Sequence, residues 1–163
     1  MIAAIAVLVA SFAGPCWSPP VAVAPTQPFR AAICRWCPGH QALGYRLAAG
    51  SPVTAVAAGT VEFAGVVAGV AYVTIGQAEG WRATYGGLHP VTVREGSRVT
   101  AGQRLGVTTT WFTFSLRHDS QYVDPAPMLG RWRGRLRLLP TDRSPPRRAG
   151  PPRLVCPARP SDR

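Results

Sequence analysis

The 163 residues suffice for one domain of ordinary size with extensions, and 17 Gly and 17 Pro disfavour long helices in favour of a turn-rich all-β body. The formal charge is +11, yet every one of the 18 basic residues is Arg, and ten of them lie from Arg131 onward. Arg without Lys, in an Ala-, Gly- and Pro-rich chain, is the bias expected of GC-rich coding; with the charge gathered in a tail, nucleic-acid binding is set aside.

Residues 1–14 form a nearly continuous apolar run without charge, and Val21-Ala22-Val23-Ala24 supplies a small-residue cleavage pattern. Residues 1–24 are therefore expected to be a secretory signal-like segment, short of a membrane span of about 20 residues and lacking the usual basic start. The expectation is an exported, extracytoplasmic protein with no stable membrane span beyond an uncleaved signal. Cys16 would leave with that segment, and Pro15 before it argues against a lipoprotein cleavage box. In an exported chain Cys34-Arg35-Trp36-Cys37 is expected to be a small structural disulfide, free thiols being the alternative; no second Cys-x-x-Cys and no βαβ pattern accompanies it. Cys156 stands alone in the tail.

The body is expected over residues 25–139. After a Pro-bearing lead-in, His40 follows Pro38-Gly39 and sits on a loop or at a strand edge. Short strands are predicted at 53–57, 60–64, 70–76, 81–85, 91–93 and 98–99, separated by turns such as Ala58-Gly59 and Glu95-Gly96. Gly50-Ser51-Pro52-Val53 and Gly96-Ser97-Arg98-Val99 echo one another, which suits a compact β-sandwich or barrel-like sheet of two similar halves. The clearest strand is 111–117: Phe112, Phe114 and Leu116 alternate with Trp111, Thr113, Ser115 and Arg117, so the first set belongs to a core and the second lines something. Residues 131–139 alternate as a last edge strand, and the Pro/Arg-rich tail at 140–163 is expected to be disordered.

Gly50-Ser51-Pro52-Val53, Ala57-Ala58-Gly59-Thr60-Val61, Phe63-Ala64-Gly65, Thr84-Tyr85, the Gly-Gln-x-Leu-Gly string ending at Gly106, and Val123-Asp124-Pro125 fall in one order over roughly 39–129. That run resembles the LytM or lysostaphin-like zinc endopeptidases, which cut peptide cross-links in bacterial peptidoglycan. Biotinyl and lipoyl carriers share part of the string but need a Lys to modify, and this chain has none. The resemblance implies an all-β sheet of the duplicated hybrid motif type with flexible extensions, and a zinc held by the His and Asp of a His-x-Gly-x-Asp stretch and the second His of a His-x-His strand. Three such ligands leave an open position where the metal acidifies a water.

The positions that match are degenerate. His40 falls at the first ligand position, Ala42 at the Gly, and Gly44 where Asp should stand. Gly87 takes the place of an assisting His, with His89 two residues on, and His-Leu-His-Phe reads Trp111-Phe112-Thr113-Phe114. His89, His118, Asp119 and Asp124 are the only neighbours that could compensate. The glycine-rich loop ahead of the His-x-His strand is shortened to Val107-Thr108-Thr109-Thr110. The expectation is a catalytically inactive domain, without catalytic or metal residues beyond a vestigial His40, that acts at the cell wall by binding peptidoglycan or regulating a cell-wall hydrolase. The alternative is a divergent zinc endopeptidase, with zinc as its cofactor. Binding-groove candidates are Tyr45, Trp111, Thr113, Ser115 and Arg117; Tyr85 and Trp81 either border the same groove or pack as ordinary core.

Overall fold

The computed structural model describes residues 16–32, 39–134 and 151–156. The fold is all-β: strands β1 (Leu43–Arg46), β2 (Pro52–Thr54), β3 (Gly59–Val67), β4 (Val70–Gly76), β5 (Trp81–Val91), β6 (Arg98–Val99), β7 (Arg104–His118) and β8 (Gln121–Val123) form one antiparallel sheet. The sheet runs β1-β7-β5-β4-β3-β6 and does not close into a barrel. The 15-residue β7 is its axis. One edge of β7 pairs with β5; the other takes β2, β1 and β8 in succession.

Alternation along β7 sorts its side chains as the sequence predicts. Phe112, Phe114 and Leu116 are fully buried, whereas Trp111, Thr113, Ser115 and Arg117 are half-exposed on the opposite face. The buried set joins Tyr85, Val73, Ile75, Leu88 and Leu105 in a single core on one side of the sheet. Tyr85 lies at its centre, where its hydroxyl accepts the Val56 N–H at 3.0 Å. Burial raises the pKa of the Tyr85 hydroxyl well above its ordinary value.

The internal echo is structural. Gly50 and Gly96 both adopt left-handed φ, at 84° and 80°, and turn the chain into β2 and β6. Gly50 N–H donates to Thr108 O while Thr108 N–H donates to Ser51 O; in the other half Gly96 N–H donates to Val61 O and Val61 N–H to Ser97 O. The halves meet where Ala55 N–H donates to Gln103 O and Gly102 N–H to Ala55 O. A pseudo-two-fold repeat of the same hydrogen bonds thus underlies the short sequence similarity.

Several boundaries depart from expectation. The predicted strand at 53–57 shortens to β2, while those at 60–64 and 81–85 lengthen into β3 and β5. Residues 107–110 do not form a loop: they continue β7, where Thr108 is buried and its hydroxyl donates to Ala48 O at 3.2 Å. Thr is β-branched, and pairing of Val107 with β2 and of Thr108 with β5 keeps the run extended. Residues 16–24, placed by composition in the signal-like segment, belong to the folded body: Trp17 N–H donates to Met128 O, Gly130 N–H to Trp17 O, and Val21 is buried in the core. The tail is likewise not wholly free. Residues Arg153–Val155 form β10, which pairs with β9 (Arg131–Arg133), and Cys156 is disulfide-bonded to Cys16 rather than standing alone. A covalent tie across 140 positions supplies the order that Pro/Arg composition could not. Cys34 and Cys37 lie outside the described residues, as does 135–139 of the predicted last strand.

Candidate functional site

The face of the sheet opposite the core carries four of the five binding-groove candidates. Cross-strand partners share a face, so the register places Gly44, Thr113, Gly86, Tyr72 and Gly65 in one row across β1, β7, β5, β4 and β3. Three of the five are glycines, and an aromatic ring leans on each. A Cβ at Gly44 would lie 2.8 Å from Trp111 Cη2; at Gly86, 2.5 Å from Tyr72 Cε1; at Gly65, 2.9 Å from Phe63 Cζ. Gly44 and Gly86 are buried beneath their rings. Beside this row lie Ser115, Thr84, Thr74 and Phe63, in register across β7, β5, β4 and β3, with the Thr74 and Thr84 hydroxyls hydrogen-bonded at 3.1 Å. Next come Arg117 and its partner Arg82. Arg82 Nε donates to Glu62 Oε2 at 2.7 Å, and the Arg117 guanidinium lies 5.5 Å from the Tyr122 ring centroid.

Trp111, Thr113, Ser115 and Arg117 are thus brought together as predicted. Tyr45 is not. Its place in β1 directs it with Phe112 to the core side, where the two rings lie 5.4 Å apart and Tyr45 is 1% exposed. Burial raises its hydroxyl pKa, and it borders a separate cavity of about 370 Å³ behind the sheet, between Val21, Leu43 and Leu129. Tyr85 is also core, and half-buried Trp81 is clamped between Trp17 and His118, at 5.5 and 4.4 Å between centroids. Tyr72 and Phe63 escaped the sequence reading, although the alternation of Val73 and Ile75 already assigns Tyr72 and Thr74 to the other face.

The zinc implied by the resemblance can be tested against the side chains present. His40 hydrogen-bonds through its backbone to Arg30 in an isolated bridge, and its Nε2 is buried with no partner. At the other two ligand positions stand Gly44 and Thr113, adjacent partners on β1 and β7. The space that a carboxylate side chain in place of Gly44 would need is filled by the Trp111 indole, over which the Arg46 guanidinium sits at 5.5 Å. At the assisting position Gly87 holds φ 86°, and a Cβ there would collide with the carbonyl oxygen of Trp111. Of the four neighbours, His118 Nε2 lies 3.1 Å from Glu79 O, Asp124 Oδ1 accepts the Ala126 N–H, and His89 and Asp119 are exposed. Among the described residues no three His, Cys, Asp or Glu side chains converge. One imidazole, with a glycine and a threonine at the other two ligand positions, does not fit a zinc ion that requires three protein ligands.

Known proteins place this architecture. The model of peptidase family M23 matches residues 38–125. Among solved structures, Csd3 of Helicobacter pylori superposes with a TM-score of 0.63 at 25% identity, over 72% of this chain and 35% of that one. Lysostaphin gives 0.56 at 21% over 64% and 49%, and a chain of the SpoIIIAH–SpoIIQ complex gives 0.58 at 18% over 67% and 96%. The chain therefore spans about a third of the length of Csd3. No curated protein matches it. With more than half of its residues under the family model, the chain belongs to peptidase family M23.

Proposed function

We propose that this chain is an exported, catalytically inactive member of the family that acts at the cell wall, binding peptidoglycan or regulating a cell-wall hydrolase. The observation that carries the reading is the packing of the Trp111 indole on Gly44: the ring fills the space that a side chain at a lost ligand position would need, so restoring an acidic residue at 44 alone meets a steric obstacle. Gly87 is a second position closed to a side chain. What remains is a surface with rings for stacking, hydroxyls for hydrogen bonds and Arg117 for carboxylates. The Cys16–Cys156 disulfide suits an oxidising compartment, which supports export. A protein partner has a precedent in shape, since a domain of this fold was solved in a pore forming complex of SpoIIQ with SpoIIIAH.

The test is zinc content and activity of the purified chain with insoluble peptidoglycan. Expected are substoichiometric zinc, no release of new amino termini, and co-sedimentation with the wall that Trp111→Ala weakens. Protein that stays in the supernatant would end the wall-binding reading. One observation favours the other reading, a divergent zinc endopeptidase: the His40 Nε2 buried without a partner. Stoichiometric zinc together with new amino termini would establish it.

A further inference from the structure

Three aromatic rings of the exposed face lie against glycines on every second strand. Trp111 leans over Gly44 on β1, Tyr72 over Gly86 on β5, and Phe63 over Gly65 on β3. The strand order β1-β7-β5-β4-β3 puts one ring at every second strand. Two interstrand spacings amount to about 9.6 Å, so the three glycines that the rings approach span about 19 Å. All three are partly exposed, and the three glycines beneath them lie in a single transverse register.

The geometry points to an extended β-1,4-linked glycan, laid across the strands, as the ligand of this face. In such a chain each sugar is turned over relative to the last. The same pyranose face therefore recurs with the disaccharide, a repeat commensurate with two strand spacings. Its apolar C–H face stacks on an aromatic ring, while hydroxyl and acetamide groups meet the parallel row of Ser115, Thr84 and Thr74. An extended peptide repeats on one face about every 6.8 Å, out of step with the rings. A peptide groove also needs walls, and residues 107–110, where the resemblance implies a wall, run flat within β7. The inference rests on the wall-binding reading of this face and names the part of the wall it grips.

The experiment titrates the full-length protein with β-1,4-linked N-acetylglucosamine oligomers of two, four and six sugars by calorimetry. In parallel, the protein is pelleted with insoluble peptidoglycan and with chitin, an insoluble β-1,4-linked N-acetylglucosamine polymer that carries no peptide. Affinity is expected to rise from dimer to hexamer, and pelleting to occur with chitin as with the wall. Tyr72→Ala and Phe63→Ala each weaken hexamer binding by up to about tenfold, the worth of one stacked ring, while Tyr72→Phe retains it. Far-UV circular dichroism confirms that each variant folds. Pelleting only with peptide-bearing wall overturns the glycan assignment and leaves wall binding standing; no pelleting with either overturns both. Equal affinity for dimer and hexamer, or a folded Tyr72→Ala that binds like wild type, also overturns it.

Discussion

Gly44→Ala tests the packing on which the site argument depends. The added carbon would lie 2.8 Å from Trp111 Cη2, 2.9 Å from its Cζ2 and 3.1 Å from Gln27 Cβ, so the indole must leave. A fully buried indole hides on the order of 200 Å². Trp111 is half-buried, so about 100 Å² is at stake, or at most about 2.5 kcal/mol at ~25 cal/mol per Å². Alanine recovers about 0.5–1 kcal/mol through the smaller backbone entropy of the unfolded chain. A net loss of about 1–2 kcal/mol is expected in urea unfolding followed by far-UV circular dichroism. In a Trp111→Ala background the obstacle is gone, and the same substitution should be neutral or stabilising. The double-mutant cycle should therefore show a coupling of at least about 1 kcal/mol. Additive effects, within about 0.5 kcal/mol, would mean that the indole does not fill the space of a residue-44 side chain. The steric case against a restored ligand set would fall with it.

Other consequences are open to measurement. Burial raises the pKa of both Tyr45 and Tyr85 above 10.0, so the folded chain keeps protons that the unfolded chain releases. Their contribution is fully present below about pH 10 and is lost above it, by up to about 1.4 kcal/mol per pH unit for each Tyr. Urea titrations at alkaline pH should show this fall, and Tyr45→Phe should make it shallower; an identical slope would mean Tyr45 ionises freely. Cys16→Ser removes the tie to Cys156 and should lower the Tm, by up to about 4–5 kcal/mol of stability in the chain-entropy model, with loss of hydrogen-exchange protection in β10. Non-reducing peptide maps should contain a Cys16–Cys156 peptide, and its absence would refute the pairing. Glu62→Gln should cost under about 1 kcal/mol, because both partners of the Glu62–Arg82 pair are over two-fifths exposed; a larger loss in urea unfolding would give that pair a structural role it lacks here.

Local pattern revealed some of this design and concealed the rest for identifiable reasons. The two faces of 111–117 were legible because alternation is a property of the strand itself: Phe112, Phe114 and Leu116 could share a side only if Trp111 and Thr113 shared the other. The paired Gly-Ser-x-Val turns were legible because each needs a glycine at left-handed φ. The course of 107–110 was not, since a Thr run beside Gly106 is compatible with a loop until β2 pairs with Val107 and β5 with Thr108. Tyr45 misled because tyrosine serves equally well in a groove or in a core, and the register against Phe112 decides which. Residues 151–156 misled because their order comes from a partner 140 positions away and not from their own composition.

The position of the proposed recognition face on β7 limits how it can work. This strand is hydrogen-bonded along both edges, with β5 on one side and β2, β1 and β8 on the other, and its reverse side is the centre of the core. Its amide protons should be among the last in the molecule to exchange, opening only with global unfolding. A surface built there cannot close around what it holds. It presents a fixed template, so little ordering cost is added on association, and selectivity falls to the ligand, which must arrive already extended and in step.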